Sequence, residues 1–154
     1  MSINIRPAHA DDAAALTAIA HAAKRHWGYP EAWIARWRDA LTLTPAYIAD
    51  HAVFVAAEAE VDRPRGFYAL EMREADAVLD HLWVAPEWMG RGLGRDLLAH
   101  AMRTARDLGA ARLEIDSDPH AEEFYRRMGA VRVGDVQADV DEVRRVLPWM
   151  EIRL

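Results

Sequence analysis

Residues Val78–Leu108 read VLDHLWVAPEWMGRGLGRDLLAHAMRTARDL, and this stretch decides the fold. Its first part, Val78–Ala85, is an apolar run rich in β-branched and aromatic residues, which predicts a largely buried strand. Pro86 ends that strand because proline has no N–H to give to a ladder. Three glycines follow, and after them a helix is predicted from an apolar stripe at spacings of four and three: Leu93, Leu97, Ala101, Ala105 and Leu108.

The three glycines, Gly90, Gly92 and Gly94, predict an anion site between the strand and the helix. The first N–H groups of a helix have no partner within it, and the macrodipole adds partial positive charge there. Glycine lets the backbone approach a phosphate closely. Arg91 and Arg95 add full charges suited to a pyrophosphate. The sequence therefore predicts a phosphorylated ligand on this loop.

Two common phosphate-binding loops do not fit these residues. A P-loop needs Lys and then Ser or Thr after its last glycine, whereas Gly94 is followed by Arg-Asp. A Rossmann fingerprint needs a third glycine three positions after the second, but Arg95 or Leu97 stands there, depending on which glycine begins the count. Neither nucleotide-binding class is predicted.

The loop instead resembles the coenzyme A loop of the GNAT acyltransferase superfamily, usually Gln/Arg-x-x-Gly-x-Gly/Ala. Residues 89–94 read MGRGLG after a strand ending in LWVAP, with Met89 where the family usually has Gln or Arg. A second family motif, typically Asn-x-x-Ala-x-x-Phe-Tyr followed by Gly-Phe/Ala, is similar to DPHAEEFY at 118–125 and Gly129-Ala130. Asp118 replaces the usual Asn. The resemblance is strong over residues 78–130 and loose elsewhere.

The order of predicted elements points to an α/β (α+β) fold with one domain over residues 1–154. The strand–helix–strand unit from Val78 to Asp116 predicts a parallel pair joined by a right-handed crossover. Together with the resemblance, it implies a single-domain GNAT-like fold. Its central sheet is mixed and mostly antiparallel, with about six or seven strands, a parallel splayed pair, and about four flanking helices.

The resemblance implies acetyl-CoA as the cofactor and an N-acetyltransferase activity, in which the acetyl group passes directly to a primary amine in a ternary complex. It implies that the pyrophosphate lies on Met89, Gly90, Arg91, Gly92, Leu93, Gly94 and Arg95. It also implies that the pantetheine arm follows the backbone of Leu82, Trp83 and Val84, with Asp118 and Tyr125 beside the coenzyme.

Acyl transfer also needs an acid for the leaving thiolate and a base for the amine. Tyr125 matches the tyrosine that serves as the acid in many family members. Asp80 is the first candidate for the base, because a carboxylate inside an apolar strand is costly without a task or a partner. His81, predicted on the opposite face, is the second candidate. Glu114 and Asp116 on the neighbouring strand remain open.

The segment Lys24–Tyr29 is predicted to be a loop beside the acceptor pocket. The predicted substrate-binding residues are His26, Trp27 and Tyr29. Large aromatic side chains are unusual in a loop, and loops on rigid scaffolds often carry functional residues. The alternative is that the aromatic side chains plug the core. In the next helical segment the spacing of four predicts core packing for Trp33, Trp37 and Leu41.

Composition limits the possible binding partners of the protein and its expected cellular compartment. The chain has no cysteine, so disulfides, thiolate metal sites and a cysteine nucleophile are excluded, and its seven histidines lack the HExxH spacing of a zinc site. A net charge of −6 argues against a nucleic-acid partner. No signal peptide and no apolar run of about 18 residues is present, so no membrane partner and a cytoplasmic location are expected. The expected partner is a small-molecule amine, and a homodimer is allowed but not required.

Two other functions remain open at this point. One is a non-catalytic acyl-CoA-binding sensor. Met89, which replaces the usual Gln or Arg, favours this function, whereas the presence of Tyr125 and Asp80 argues against it. The other is an acetyltransferase for a protein N-terminus or a lysine, which would need an open groove rather than the closed aromatic pocket predicted around Trp27 and Tyr29. Fold alone does not choose the acceptor.

Overall fold

A mixed sheet with seven strands forms the centre of the molecule. A computed structural model describes residues 2–154. The strands are β1 (Ile3–Pro7), β2 (Ala52–Glu58), β3 (Arg63–Arg73), β4 (Asp76–Val84), β5 (Arg112–Asp116), β6 (Val131–Gln137) and β7 (Val146–Arg153). Their order in the sheet is β1-β2-β3-β4-β5-β7-β6, so the predicted central strand, β4, lies in the middle.

Five α-helices flank the sheet, one more than the expected number of about four. They are α1 (Ala13–His26), α2 (Glu31–Arg36), α3 (Pro45–Asp50), α4 (Leu93–Asp107) and α5 (Glu122–Arg127). The short α3 begins at a proline, and Thr44 caps it by accepting a hydrogen bond from the Tyr47 N–H at 3.0 Å. Between residues 2 and 154, none of the helices is long and apolar enough to cross a membrane.

The parallel pair β4–β5 separates soon after it forms. The two strands pair only at Asp76↔Arg112, Ala77↔Leu113 and Val78↔Glu114, and every other strand pair is antiparallel. From Leu79 onward, the edge of β4 that faces β5 has no strand partner in the described chain. This confirms the predicted splayed pair, and it opens a cleft next to the start of α4.

The crossover helix α4 packs on the sheet with its predicted apolar stripe. Leu93, Leu97, Ala101 and Ala105 are buried, and the helix packs against β3 and β4. Leu108, the last predicted member, is 52% exposed, because α4 ends at Asp107 and Leu108 is its C-cap. Burial of this apolar face fixes the helix N-terminus beside the cleft.

A charged segment without a predicted structure, residues 135–145, continues the sheet. Strand β6 runs on to Gln137, and residues 138–145 then form what we call the 138–145 hairpin. Val140 and Val143 pair across it, and Asp141 and Glu142 make its turn with φ of 46° and 66°. Asp is one of the residues that adopt this left-handed conformation most readily, whereas Glu is not among them, so Glu142 is the more strained of the two turn residues.

Candidate active site

A cavity of about 780 Å³ opens where β4 and β5 separate. Its wall is formed by the end of α1, the second half of β4, the glycine loop with the first turn of α4, and the segment from the end of β5 to α5. All residues predicted to bind the coenzyme line it: Leu82, Trp83, Val84, Met89, Gly90, Arg91, Gly92, Leu93, Gly94, Arg95, Asp118 and Tyr125. Asp80 and His81 line it as well.

The glycine loop presents main-chain donors to this cavity. Gly90 and Gly92 have φ of 78° and 83°, a left-handed conformation that glycine adopts without steric cost. A Cβ on Gly90 would meet no atom within 4 Å, so the space in front of the loop is open. In residues 2–154, no N–H of residues 90–95 donates a hydrogen bond, and the first helical bond is from Asp96 N to the Gly92 carbonyl at 3.1 Å. The donors are therefore free for a ligand.

Two cations stand beside these amides. The Arg91 guanidinium lies 4.6 Å from the centre of the Trp88 ring, and Arg95 Nη2 lies 3.3 Å from where a Cβ on Gly92 would be. Within the described part of the chain, neither arginine has a carboxylate within 4.0 Å. The residues present thus fit the diphosphate of coenzyme A, because free N–H groups, a helix N-terminus and unpaired guanidinium groups converge on one open space.

The Tyr125 hydroxyl faces the cavity without a partner. The side chain is 7% exposed, and its oxygen makes no hydrogen bond in the part of the chain that is described. Burial raises the pKa of the Tyr125 hydroxyl, and the negative charge of Asp118 raises it further, so the group keeps its proton at neutral pH. The hydroxyl is therefore a free proton donor in a largely dry place.

A β-bulge redirects Asp80. In the β3–β4 ladder His81 pairs with Ala69 and Leu79 pairs with Leu70, so Asp80 is the extra residue without a partner on β3. Such bulges bend a strand and often lie next to active sites. The Asp80 side chain is 40% exposed and accepts a hydrogen bond from the Tyr47 hydroxyl. The carboxylate is therefore not buried in the strand, although Asp80 does lie on the face opposite the buried Leu79 and His81.

His81 is buried beside Asp80 and has little freedom to accept a proton. Its Nδ1 accepts the indole N–H of Trp83 at 3.0 Å, and this contact assigns the ring hydrogen to Nε2, which lies 3.9 Å from Asp80 Oδ2. Burial lowers the pKa of His81, and the charge of Asp80 offsets this only in part. The ring is thus neutral at pH 7 with its free lone pair engaged, and the geometry favours Asp80 over His81 as a base. Of the two further candidates, Asp116 lines the cavity, whereas Glu114 lines a neighbouring groove.

Asp118 is the centre of a polar network. Its carboxylate accepts hydrogen bonds from Lys24 Nζ at 2.8 Å, from the Tyr29 hydroxyl at 2.9 Å and from the main-chain N–H of His120 at 2.9 Å. Burial alone would raise the pKa of Asp118, but the hydrogen bond and charge of Lys24, with help from His120, lower it to about 2. Most of the acceptor capacity of this side chain is therefore used within the protein, although it also lines the cavity.

The predicted substrate segment is divided by the end of α1. The helix continues through His26, so Lys24–His26 form its last turn and are not a loop. Trp27 lines the cavity and stacks on His120 at 5.0 Å between ring centres. Tyr29 does not line the cavity, but its hydroxyl donates a hydrogen bond to Asp118, which does. His26 is exposed on the outer side of the last turn, and the structure does not bring it to the cavity.

Three residues of this region were not predicted to be functional: Lys24, His120 and Arg145. All three line the cavity. The signal that could have indicated them is the dense run of aromatic residues between positions 27 and 37. Of the residues predicted to pack in the core there, Leu41 is buried in it and the half-buried Trp37 packs against it, whereas Trp33 is half-buried outside it. Trp33, Trp37 and Tyr29 form what we call the aromatic cluster, whose ring centres lie 5.1 to 6.0 Å apart.

Comparisons with known proteins agree with this architecture. The model of the acetyltransferase (GNAT) family matches residues 14–130, more than half of the chain. A GCN5-related N-acetyltransferase from Rhodopseudomonas palustris is similar over 100% of this chain and 97% of its own, with 25% identity and a TM-score of 0.80. No curated protein matches the chain in sequence.

Two further solved structures show the same fold and hold the coenzyme. The PaiA N-acetyltransferase from Thermoplasma acidophilum, in complex with coenzyme A, has 22% identity and a TM-score of 0.78, and the alignment covers 100% of both chains. YncA from Salmonella typhimurium, with its cofactor acetyl-CoA, has 20% identity and a TM-score of 0.72 over 99% of this chain and 94% of its own.

Proposed function

The chain belongs to the acetyltransferase (GNAT) family, and from this premise we propose that it acetylates the primary amine of a small molecule by direct transfer within a ternary complex. Family membership makes it an acyltransferase that uses acetyl-CoA. The observation that carries the proposal is that one cavity holds both the unengaged amides of residues 90–95 and the unbonded hydroxyl of Tyr125.

Two parts of the backbone would hold the donor. The bound coenzyme supplies an activated thioester. The N–H groups of residues 90–95, with Arg91 and Arg95, hold its diphosphate. The unpaired edge of β4 around Leu82–Val84 hydrogen-bonds the pantetheine arm, and an N–H there stabilises the thioester oxygen as it gains charge, an effect of roughly 2.7–4 kcal/mol in acyl transfer.

Asp80 and Tyr125 would move the two protons. An amine with a pKa of about 10.4 arrives protonated, and the Asp80 carboxylate, oriented by the Tyr47 hydroxyl, accepts its proton directly or through water. Tyr125 gives its proton to the leaving sulfur, and the second proton that the nitrogen loses as it becomes an amide restores the Tyr125 hydroxyl through water. Burial raises the pKa of the Tyr125 hydroxyl, and the same surroundings also raise the pKa of a thiol, so burial shifts both partners of the transfer in the same direction.

A thiol-release assay tests the proposal. The protein is mixed with acetyl-CoA and a panel of small primary amines and short peptides, and free thiol is followed over time, with a Gly92→Glu variant as the matched control. We expect thiol release that depends on a small amine and is absent from the variant. Release only with peptides that offer an N-terminus or a lysine would make the protein a peptide acetyltransferase. Coenzyme binding without release for any amine would indicate a sensor and contradict the proposal.

A further inference from the structure

We propose that Arg145 binds a carboxylate of the acceptor, so that the acceptor is an amino acid or another amine with an acidic group. This inference rests on the proposed function, because it names the substrate class of the same cavity. It depends on three features of the structure: where the guanidinium lies, what it lacks as a partner, and how firmly the fold holds it.

The Arg145 guanidinium lies between the aromatic cluster and the cavity. Its carbon atom is 5.0 Å from the ring centres of both Tyr29 and Trp37, and Nη2 donates a hydrogen bond to the Tyr29 hydroxyl at 2.9 Å. Arg145 lines the cavity, whereas the rings of the aromatic cluster do not. One side of the guanidinium therefore rests on aromatic rings, and its remaining donors are available to a ligand.

No carboxylate neutralises this cation in the described part of the chain, where the Arg145 guanidinium has no Asp or Glu oxygen within 4.0 Å. The nearest acidic group of the network, Asp118, shares Tyr29 with Arg145 but forms its ion pair with Lys24. The cluster of Lys24, Asp118 and Arg145 therefore carries one uncompensated positive charge. A half-buried guanidinium that uses one of its five donors is suited to a planar anion.

The fold holds Arg145 in this place from both ends of the 138–145 hairpin. The Arg145 carbonyl accepts the Ala138 N–H at 2.9 Å, and the Arg145 N–H donates to Asp139 Oδ1 at 3.2 Å. An ion pair of 2.8 Å between Arg36 and Asp141 ties the hairpin to α2. Asp139 thus binds the main-chain N–H of Arg145 and forms no ion pair with the Arg145 guanidinium.

The geometry assigns this cation to the acceptor rather than to the coenzyme. Arg91 and Arg95 already stand at the glycine loop, and their contacts, Trp88 and Gly92, are not shared with Arg145. The forked donors of arginine match a carboxylate in a bidentate manner. The same charge would repel a second ammonium group, so a polyamine is not the expected acceptor.

Matched acceptors test the inference. Thiol release from acetyl-CoA is measured for the twenty common amino acids and, in parallel, for their carboxamides. We expect the preferred amino acid to exceed its amide at least roughly tenfold in kcat/KM. Arg145→Gln should raise KM for the acid roughly tenfold or more and leave the amide unchanged, and Arg145→Lys should retain part of the preference. Arg144→Gln is the control, because Arg144 is exposed and makes no side-chain contact of this kind in residues 2–154.

Two further measurements separate the possible failures. Calorimetry with coenzyme A should give the same Kd for wild type and Arg145→Gln, and a Kd that rises only in the variant would assign Arg145 to a coenzyme phosphate and overturn the inference. If no amine releases thiol, the proposed function fails. The binding of N-acetyl amino acids and their amides in the presence of coenzyme A then decides the inference: acid-selective binding lost in Arg145→Gln supports it, and equal or absent binding overturns it.

Discussion

The Nζ atom of Lys24 lies 2.8 Å from Oδ2 of Asp118, although the two residues are 94 positions apart in the chain. Both side chains are only 12% exposed. The ion pair joins the last turn of α1 to the segment after β5, and both residues line the cavity. Because little water reaches the pair, each charge depends on the other for compensation.

Replacing one partner of this ion pair should destabilise the fold more than replacing both. Lys24→Met leaves a buried carboxylate unpaired, and we expect the free energy of unfolding to fall by about 3 kcal/mol. The double variant Lys24→Met/Asp118→Asn should recover most of that loss, because no buried charge remains. Urea unfolding of wild type, both single variants and the double variant gives the coupling energy. Strictly additive single effects would show that the two side chains do not depend on each other.

The same pair makes stability depend on pH in a defined window. Folding lowers the pKa of Asp118 from 3.8 to about 2, so its contribution is fully present above pH 4 and is lost as pH falls towards 2. The shift corresponds to roughly 2 kcal/mol. The difference in unfolding free energy between wild type and Asp118→Asn should therefore shrink between pH 4 and pH 2.

Gly92→Glu should abolish coenzyme binding. Gly92 has φ of 83°, and a Cβ there would lie 3.3 Å from Arg95 Nη2, so a carboxylate side chain would strain the loop and place negative charge among the phosphate donors. Calorimetry with coenzyme A should show at least roughly a 100-fold loss of affinity. Gly109→Ala is the control, since its φ of 94° gives similar strain at the far end of α4. Unchanged affinity in Gly92→Glu would remove the loop as the phosphate site.

Tyr125→Phe should lower kcat by roughly 100-fold while leaving the coenzyme Kd nearly unchanged. The hydroxyl makes no hydrogen bond within residues 2–154, so its removal costs the fold little. Tyr68→Phe is the opposite control. Its hydroxyl bonds Thr104 at 2.9 Å in the core, so this variant should lose stability and keep its turnover. Full activity of Tyr125→Phe would exclude Tyr125 as the acid.

The choice between Asp80 and His81 can be decided by pH–rate profiles. Asp80→Asn should lower kcat by roughly 100-fold, and His81→Gln by less than about tenfold. Burial lowers the pKa of His81 from 6.5, so its ring becomes cationic only at lower pH. A base must be deprotonated, and a contribution of His81 would therefore appear as a loss of activity below pH 6.5. If that loss exists in wild type and vanishes in His81→Gln, then His81 is the base.

The glycine loop and its neighbours were predictable because their conformations are local. Pro86 ends a strand wherever it stands, positive φ at Gly90 and Gly92 needs no distant partner, and the stripe from Leu93 to Ala105 follows from helical periodicity. The same local rules failed at Leu108 and at His26, because the exact end of a helix is weakly determined by its own residues.

The hydrogen bond that Asp80 makes could not be predicted from its strand alone. Alternation holds along β4, where Leu79 and His81 are buried and Asp80 between them is exposed, but the β3–β4 register skips one residue at Asp80. Whether a ladder contains a bulge depends on how both strands fit the helices above them. A single strand carries no such information, so the bond of the Asp80 carboxylate to Tyr47 appears only in the assembled sheet.

By itself, the sequence determined the strand, the glycine turn and the helix that form the proposed phosphate site, because each depends on residues within a few positions of one another. Only the tertiary structure decided which side chains surround the proposed acceptor site. Tyr29 meets Arg145 across 116 positions, and Lys24 meets Asp118 across 94. Such contacts depend on how separately formed elements pack, and no spacing along the chain records that packing.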